Sequence, residues 1–238
     1  MLYLIGLGLH DEKDLTLRAI ETAKDCECFI ELYTSVWKGS LENLKKMLGK
    51  DVQVLKRKDL EENLELFVEK AKKNNIALFV PGDPLAATTH MDVVYEAKRR
   101  KIPVKIIHNA SIFSAIGEAG LQLYKYGKVA TIPFSGKLSN VKETIQANKK
   151  LGLHTLLLLD LDLENNIVMK VSEAINILLK SKIVKESDQL IAFSNAGGNS
   201  KVYYESARSL KLKDMESPAV LIIPGKLHFR EKDFLEVL

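Results

Sequence analysis

Three places in the sequence combine glycine, proline and small polar residues directly behind short apolar runs, and these hold the side chains best placed to do chemistry. The first is Gly6–Asp11 (GLGLHD). A dinucleotide-binding turn needs a third glycine where Asp11 stands, and a strand-to-helix turn with Asp14 capping the next helix explains the segment without a ligand. The second is Pro81–His90 (PGDPLAATTH), behind the almost purely apolar Ile76–Val80. Ligands of α/β sheets bind at the carboxyl ends of such strands. Pro81 and Pro84 stiffen the loop, Gly82 lets backbone approach a ligand closely, and Asp83 puts a carboxylate at the mouth. A rigid turn with Asp83 as a cap and Thr88/Thr89 opening the next helix is the bland alternative. The third is His108–Ser114 (HNASIFS), where Ser111 and the Ile112 backbone could bond a ligand's polar edge, or Ser111 could simply cap a helix running to Leu121.

Other chemistries find little support. The five histidines show no His-x-x-x-His spacing and no companion carboxylate cluster, so no metal site is expected. There is no Gly-x-x-x-x-Gly-Lys-Ser/Thr phosphate loop and no Gly-x-Ser-x-Gly elbow. Tyr3, Tyr33 and Tyr95 read as packing residues, whereas Trp37, behind Glu31–Ser35, could be an exposed contact for a protein partner. No residue can be named as a catalytic base.

The elements that must position these loops follow from periodicity. Leu2–Leu7, Cys28–Leu32, Val52–Leu55, Ile76–Val80 and Pro103–His108 read as strands. Amphipathic helices lie between them, the clearest with apolar residues at 60, 64, 67, 68 and 71. That alternation predicts an α/β domain with a mainly parallel sheet. The second half is expected to have strands at Val129–Phe134, Thr155–Leu159, Leu190–Ser194 and Ala219–Ile223, with helices at Val141–Lys150, Val171–Leu179 and Tyr204–Leu210. The last fifteen residues read as turn and closing edge. The expected division is 1–115 and 116–238.

At 238 residues with 46% apolar and 28% charged residues, the chain has material for one large or two small cores and is not dominated by disorder. No apolar run approaches the ~20 residues of a membrane span. The net charge of +4 is spread along the chain. Its densest patches, at 56–58, 72–73 and 98–101, are expected at helix ends as solvated charge, not as a nucleic-acid surface. Cys26 and Cys28 are expected on opposite faces of a strand, unbridged, in a reducing cytoplasm.

Six segments carry a resemblance that covers residues 1 to about 234. These are "LIGLGLHDEKDLTLRAIETAKDCECFIELYTS", "PGDPLAATTH", "HNASIFSAIGEAGL", "YKYGKVATIPF", "GLHTLLLLDL" and "PGKLH". Together they resemble the diphthine synthase family, in the tetrapyrrole-methylase-like class of S-adenosylmethionine methyltransferases. The resemblance implies two α/β domains of the tetrapyrrole methylase type, with S-adenosyl-L-methionine in the interdomain cleft, S-adenosyl-L-homocysteine as product, and a cytoplasmic homodimer. It implies Leu9, Asp83, Ala86, Ser111, Ile112 and Leu159 as cofactor contacts, with Ala196 or Gly197 and Ala219 or Val220 carried over more loosely. The implied acceptor is the amino group of a 3-amino-3-carboxypropyl arm on a modified histidine of translation elongation factor 2, methylated successively during diphthamide biosynthesis. The segment after Phe134, Ser200–Met215 and the tail after "PGKLH" are short for the family, which bears on substrate contacts more than on the cofactor. A methylase of a tetrapyrrole precursor or ribosomal RNA is the alternative within the superfamily. A non-catalytic nucleotide-binding module is the alternative outside it.

Overall fold

The computed structural model describes residues 1–238 and divides into two compact units, Met1–Phe113 with Leu163–Asn165, and Ser114–Asp162 with Asn166–Leu238. In the first unit the strands are β1 (Leu2–Gly6), β2 (Glu27–Glu31), β3 (Val52–Leu55), β4 (Ile76–Val80) and β5 (Val104–Ile107). They form one five-stranded sheet in the order β3-β2-β4-β1-β5, with every pairing parallel. The helices between them are α1 (Leu17–Ala23), α2 (Leu41–Leu48), α3 (Arg57–Glu61), α4 (Leu64–Lys70) and α5 (Met91–Arg99), and α6 (Ile112–Ala115) follows β5.

β4 has no polar face, so it is stable only with both sides covered, and all five of its residues are buried. Successive side chains along a strand point to opposite faces. Leu78 and Val80 accordingly join a cluster with Phe29, Phe67, Val68, Val93 and Ala97. Ala77 and Phe79 join a second cluster with Ile5, Ala19, Ile30 and Leu44. Helices α4 and α5 thus seal one face, and α1 and α2 the other. Phe29 meets Phe67 edge to face at 5.3 Å, a pair worth ~1 kcal/mol beyond its buried area.

In the second unit the strands are β6 (Ala130–Ile132), β7 (Thr155–Leu159), β8 (Leu161–Asp162), β9 (Ile167–Val168), β10 (Gln189–Ser194), β11 (Lys201–Ser206) and β12 (Ala219–Ile223). The helices are α7 (Ser139–Lys150), α8 (Val171–Lys180), α9 (Ala207–Leu210) and α10 (Phe229–Leu235). The main sheet runs β11-β10-β12-β7-β6; only β6–β7 is parallel, and β8–β9 form a separate small ladder. Its core gathers Leu157, Ile175, Leu178, Ala192, Leu210 and Leu221.

Several expectations need correction. Tyr204 does not begin a helix: Lys201–Ser206 is an edge strand on β10, and the helix starts at Ala207 behind the Ser206 cap. The final segment is not an edge but the helix α10, which buries Glu231 and Leu235, one turn apart, and is capped by His228. Cys26 and Cys28 share a face, because residues two apart in extended chain point the same way; both lie in the Phe79 cluster as free thiols. The basic run at 56–58 lies at the start of α3, where Arg57 pairs with Glu61 at 2.9 Å. Trp37 is half-buried against the Phe79 cluster and is not an exposed anchor.

Candidate functional site

Because β4, β1 and β5 are adjacent and parallel, the loops that follow them leave the same edge of the sheet. The first two are zipped together: Gly8 N–H donates to Gly82 O (3.2 Å) and Gly82 N–H to Gly8 O (2.8 Å). A Cβ on Gly6 would sit 2.5 Å from Gly82 O and 2.7 Å from Asn109 Cβ, so the approach admits only glycine there. Gly82 is required for a different reason, its φ of 72°. Asn109 binds the third loop to the first: Nδ2 donates to Gly6 O and to Asp14 O, each at 3.0 Å, while Oδ1 accepts from Ala110 N–H at 2.8 Å.

Asp83 sits within this mesh. Its Oδ1 accepts from Leu85 N–H (3.0 Å), and Oδ2 accepts from Asn109 N–H (3.2 Å) and pairs with His108 Nδ1 at 2.7 Å. The side chain keeps only 13% exposure, so its carboxylate organises the loops from a largely buried position with a small part open to solvent. Asp14 does not cap α1. Its Oδ2 accepts from Leu9 N–H (3.0 Å) and His10 N–H (2.7 Å), fixing the first loop, and Thr16 caps the helix by accepting from Ala19 N–H. Ser111 Oγ accepts from Phe113 N–H at 3.3 Å, as a cap for α6 would. Leu9, Ala86 and Ile112 are half-buried on the same three loops.

The candidate residues of the second unit also share an edge of their own sheet. Ser194 pairs with Ala219 and Leu158 with Val220, which brings the end of β10, the start of β12 and Leu159 at the end of β7 together. Ala196 is buried and Gly197 exposed in the turn after β10. Just before them, Ser194 Oγ and Asn195 Oδ1 are buried polar atoms with no partner in the protein. Buried polar atoms are nearly always paired, so this turn is a natural place for a ligand's polar groups.

Sequence reasoning missed Asn109, the organising role of Asp14, and the buried acids. Glu12 Oε2 accepts from Ser40 N–H (3.0 Å) and Oε1 from Asn43 Nδ2 (2.8 Å), drawing the segment after β2 toward the first loop. Glu31 is fully buried at the end of β2, beside a buried His90. The only signal for Glu31 was a carboxylate set within an apolar run, and Glu12, in the polar stretch His10–Asp14, carried none.

The family model of the Tetrapyrrole (Corrin/Porphyrin) Methylases matches residues 1–210, and the chain belongs to that family of methyltransferases. Across their whole lengths its relatives are more specific. The diphthine synthase of Methanocaldococcus jannaschii is 41% identical over 100% of this chain and 98% of its own. That of Methanococcus maripaludis is 38% identical with the same coverage. A crystal structure of diphthine synthase superposes with a TM-score of 0.93 at 36% identity, covering 99% of this chain and 94% of that one. Within the methylases, the chain is a member of the diphthine synthase group.

Proposed function

We propose that the chain transfers methyl groups from S-adenosyl-L-methionine, successively, to the amino nitrogen of the 3-amino-3-carboxypropyl arm on a modified histidine of translation elongation factor 2. It would act in the cytoplasm as a homodimer and release S-adenosyl-L-homocysteine. The observation that carries this reading is the hydrogen-bonded mesh of three loops at one edge of an all-parallel sheet, in a chain whose relatives are diphthine synthases from end to end.

The residues present fit such a cofactor. On the first unit, the Asp83 carboxylate, which keeps 13% exposure, suits a donor group such as a hydroxyl or ammonium. Leu9, Ala86 and Ile112 offer apolar surface beside it, and Ser111 is the polar residue of the third loop. On the second unit, the unpartnered Ser194 Oγ and Asn195 Oδ1 support a contribution from Ala196 and Gly197, with Leu159, Ala219 and Val220 at the same edge. The cofactor supplies an activated methyl group on a sulfonium, so the protein contributes alignment more than acid–base chemistry. Holding donor and acceptor atoms at about 3–3.5 Å in line accounts for much of such a rate. The mesh is suited to alignment, because Asn109, Asp14 and Asp83 hold its backbone groups before any ligand arrives.

Incubation with labelled S-adenosylmethionine and elongation factor 2 bearing the unmethylated arm tests the reading. Label is expected on the factor, and calorimetry should show micromolar binding of S-adenosylhomocysteine. Label on a tetrapyrrole precursor or ribosomal RNA instead, or no cofactor binding, would overturn the proposal.

A further inference from the structure

The Glu31–His90 pair takes no part in the hydrogen bonds of the loop mesh, although His90 closes its second loop, and its arrangement is costly without a role. Glu31 is 0% and His90 1% exposed. Glu31 Oε2 accepts from Tyr33 N–H (3.0 Å) and Thr34 N–H (3.1 Å), and Oε1 from the Thr34 hydroxyl (2.5 Å). This one carboxylate therefore shapes the turn after β2. His90 Nε2 is 3.7 Å from Oε1, beyond hydrogen-bond reach, and neither ring nitrogen of His90 has a partner. An apolar ring would fill the space beside Tyr33 without leaving two polar atoms unpaired.

Position adds to this. β2 flanks β4 on the side away from β1, and Ile30 is level with Phe79. The turn at residues 32–35 therefore leaves the same sheet edge as Pro81-Gly82-Asp83, and Thr34 is only half-buried. Around the pair, the Arg57 guanidinium lies 5.0 Å over the Tyr33 ring, and Glu61 and Glu164 act on Tyr33 from beyond it. Burial pushes the Glu31 carboxyl up to about 7, against the bonds from Thr34 and Tyr33 and the charge of Arg57. Burial also holds the His90 imidazole well below its ordinary value. Near neutral pH this site is poised to gain or lose one proton.

We propose that Glu31 and His90 are a proton-sharing positioning pair for the methyl acceptor, holding the turn that receives the amino group and taking the proton that group must shed. The inference rests on the reading of the chain as an amine methyltransferase. In the step, an N–H bond of the acceptor ammonium breaks. The Thr34 hydroxyl takes that proton as it passes its own to Glu31 Oε1. The amine is left neutral with a free electron pair, and a small rotation of the new carboxylic acid and of the ring closes the 3.7 Å gap to the unpartnered His90 Nε2, which accepts its O–H. Glu31 returns the proton to water after product leaves.

The test joins a titration of the protein alone to kinetics. The proton resonance of His90 Cε1–H, assigned by its loss in His90→Phe, should show a step near pH 7 that Glu31→Gln abolishes. Glu31→Gln and Thr34→Val should each lower kcat at pH 7 at least tenfold and move the acid limb of the pH–rate profile upward, to where the acceptor ammonium loses its proton unaided. Their S-adenosylhomocysteine affinity should stay within twofold of wild type, and Glu31→Asp should restore part of the rate. An unchanged His90 titration in Glu31→Gln, or rate profiles of Glu31→Gln and Thr34→Val that superimpose on wild type, would overturn the pair. Should Glu31→Gln fail to fold, Thr34→Val decides by the same profile. Absence of methyl transfer by the wild-type enzyme would instead overturn the underlying function, which keeps the two failures distinct.

Discussion

Glu231→Gln tests how the second unit holds its C-terminal turn. Glu231 is 1% exposed. It accepts from Gln122 N–H (2.9 Å), His228 N–H (2.7 Å) and the Lys125 ammonium, and it lies 3.0 Å from His154 Nε2. His154 is itself buried, and its Nδ1 accepts from Gly225 N–H at 2.9 Å, so Nε2 is the nitrogen that carries the proton. Burial disfavours the charge on Glu231, yet the Lys125 ammonium and the backbone donors outweigh it and bring the carboxyl from 4.5 down to about 2. At ~1.4 kcal/mol per tenfold change, that is about 3 kcal/mol of stability at pH 7. Because the folded value is the lower one, the contribution is complete above pH 5, falls below half by about pH 3 and vanishes below 2. A neutral amide in place of the carboxylate cannot accept from all of these donors and would leave Lys125 unpaired, so a loss of about 3 kcal/mol at pH 7 is expected. That corresponds to a Tm lowered by roughly 6–12 °C for a chain of this size. Thermal unfolding followed by circular dichroism at pH 7 and pH 3 measures both quantities. A cost under about 1 kcal/mol at pH 7, or one equally large at pH 3, would refute the reasoning.

Asp83→Ala should weaken S-adenosylhomocysteine binding by about 1–3 kcal/mol, the scale of a buried hydrogen bond lost; calorimetry giving wild-type affinity would remove Asp83 from the site. Gly6→Ala places a methyl 2.5 Å from Gly82 O and should part the first two loops, lowering affinity at least tenfold. Full affinity with an unchanged fold would show that the contact is not tight. Cys28, pushed by burial up to about 11, and Cys26, raised for the same reason, should resist thiol reagents at pH 8 in the native enzyme. Stoichiometric labelling within minutes would count against their burial.

The parallel sheet of the first unit was legible because its strands alternate with amphipathic helices and its middle strand, β4, carries no polar face. The loops behind β1, β4 and β5 were legible from glycine and proline placed after such runs. What tied them was not. Asn109 acts through residues about a hundred positions upstream, Gly6 O and Asp14 O, and nothing local marks a side chain for so distant a bond. Tyr204 was misread as the start of a helix because a short segment fits either period; pairing with β10 decided it. α10 was missed because its buried stripe is only Glu231 and Leu235, and the buried carboxylate reads as polar surface until Lys125 and His154 are seen beside it.

The strand order of the first sheet also bears on the chain's synthesis. β1 leaves the ribosome before the other strands of this sheet, yet its neighbours are Ile76–Val80 and Val104–Ile107. A nascent chain halted before Ile76 can join β2 to β3, but it has only an unpartnered apolar ribbon where the middle of the sheet belongs. Pairings this distant in sequence form slowly and leave such ribbons exposed meanwhile. The segment that ends in Gly6 is thus the one most in need of shelter while translation is under way.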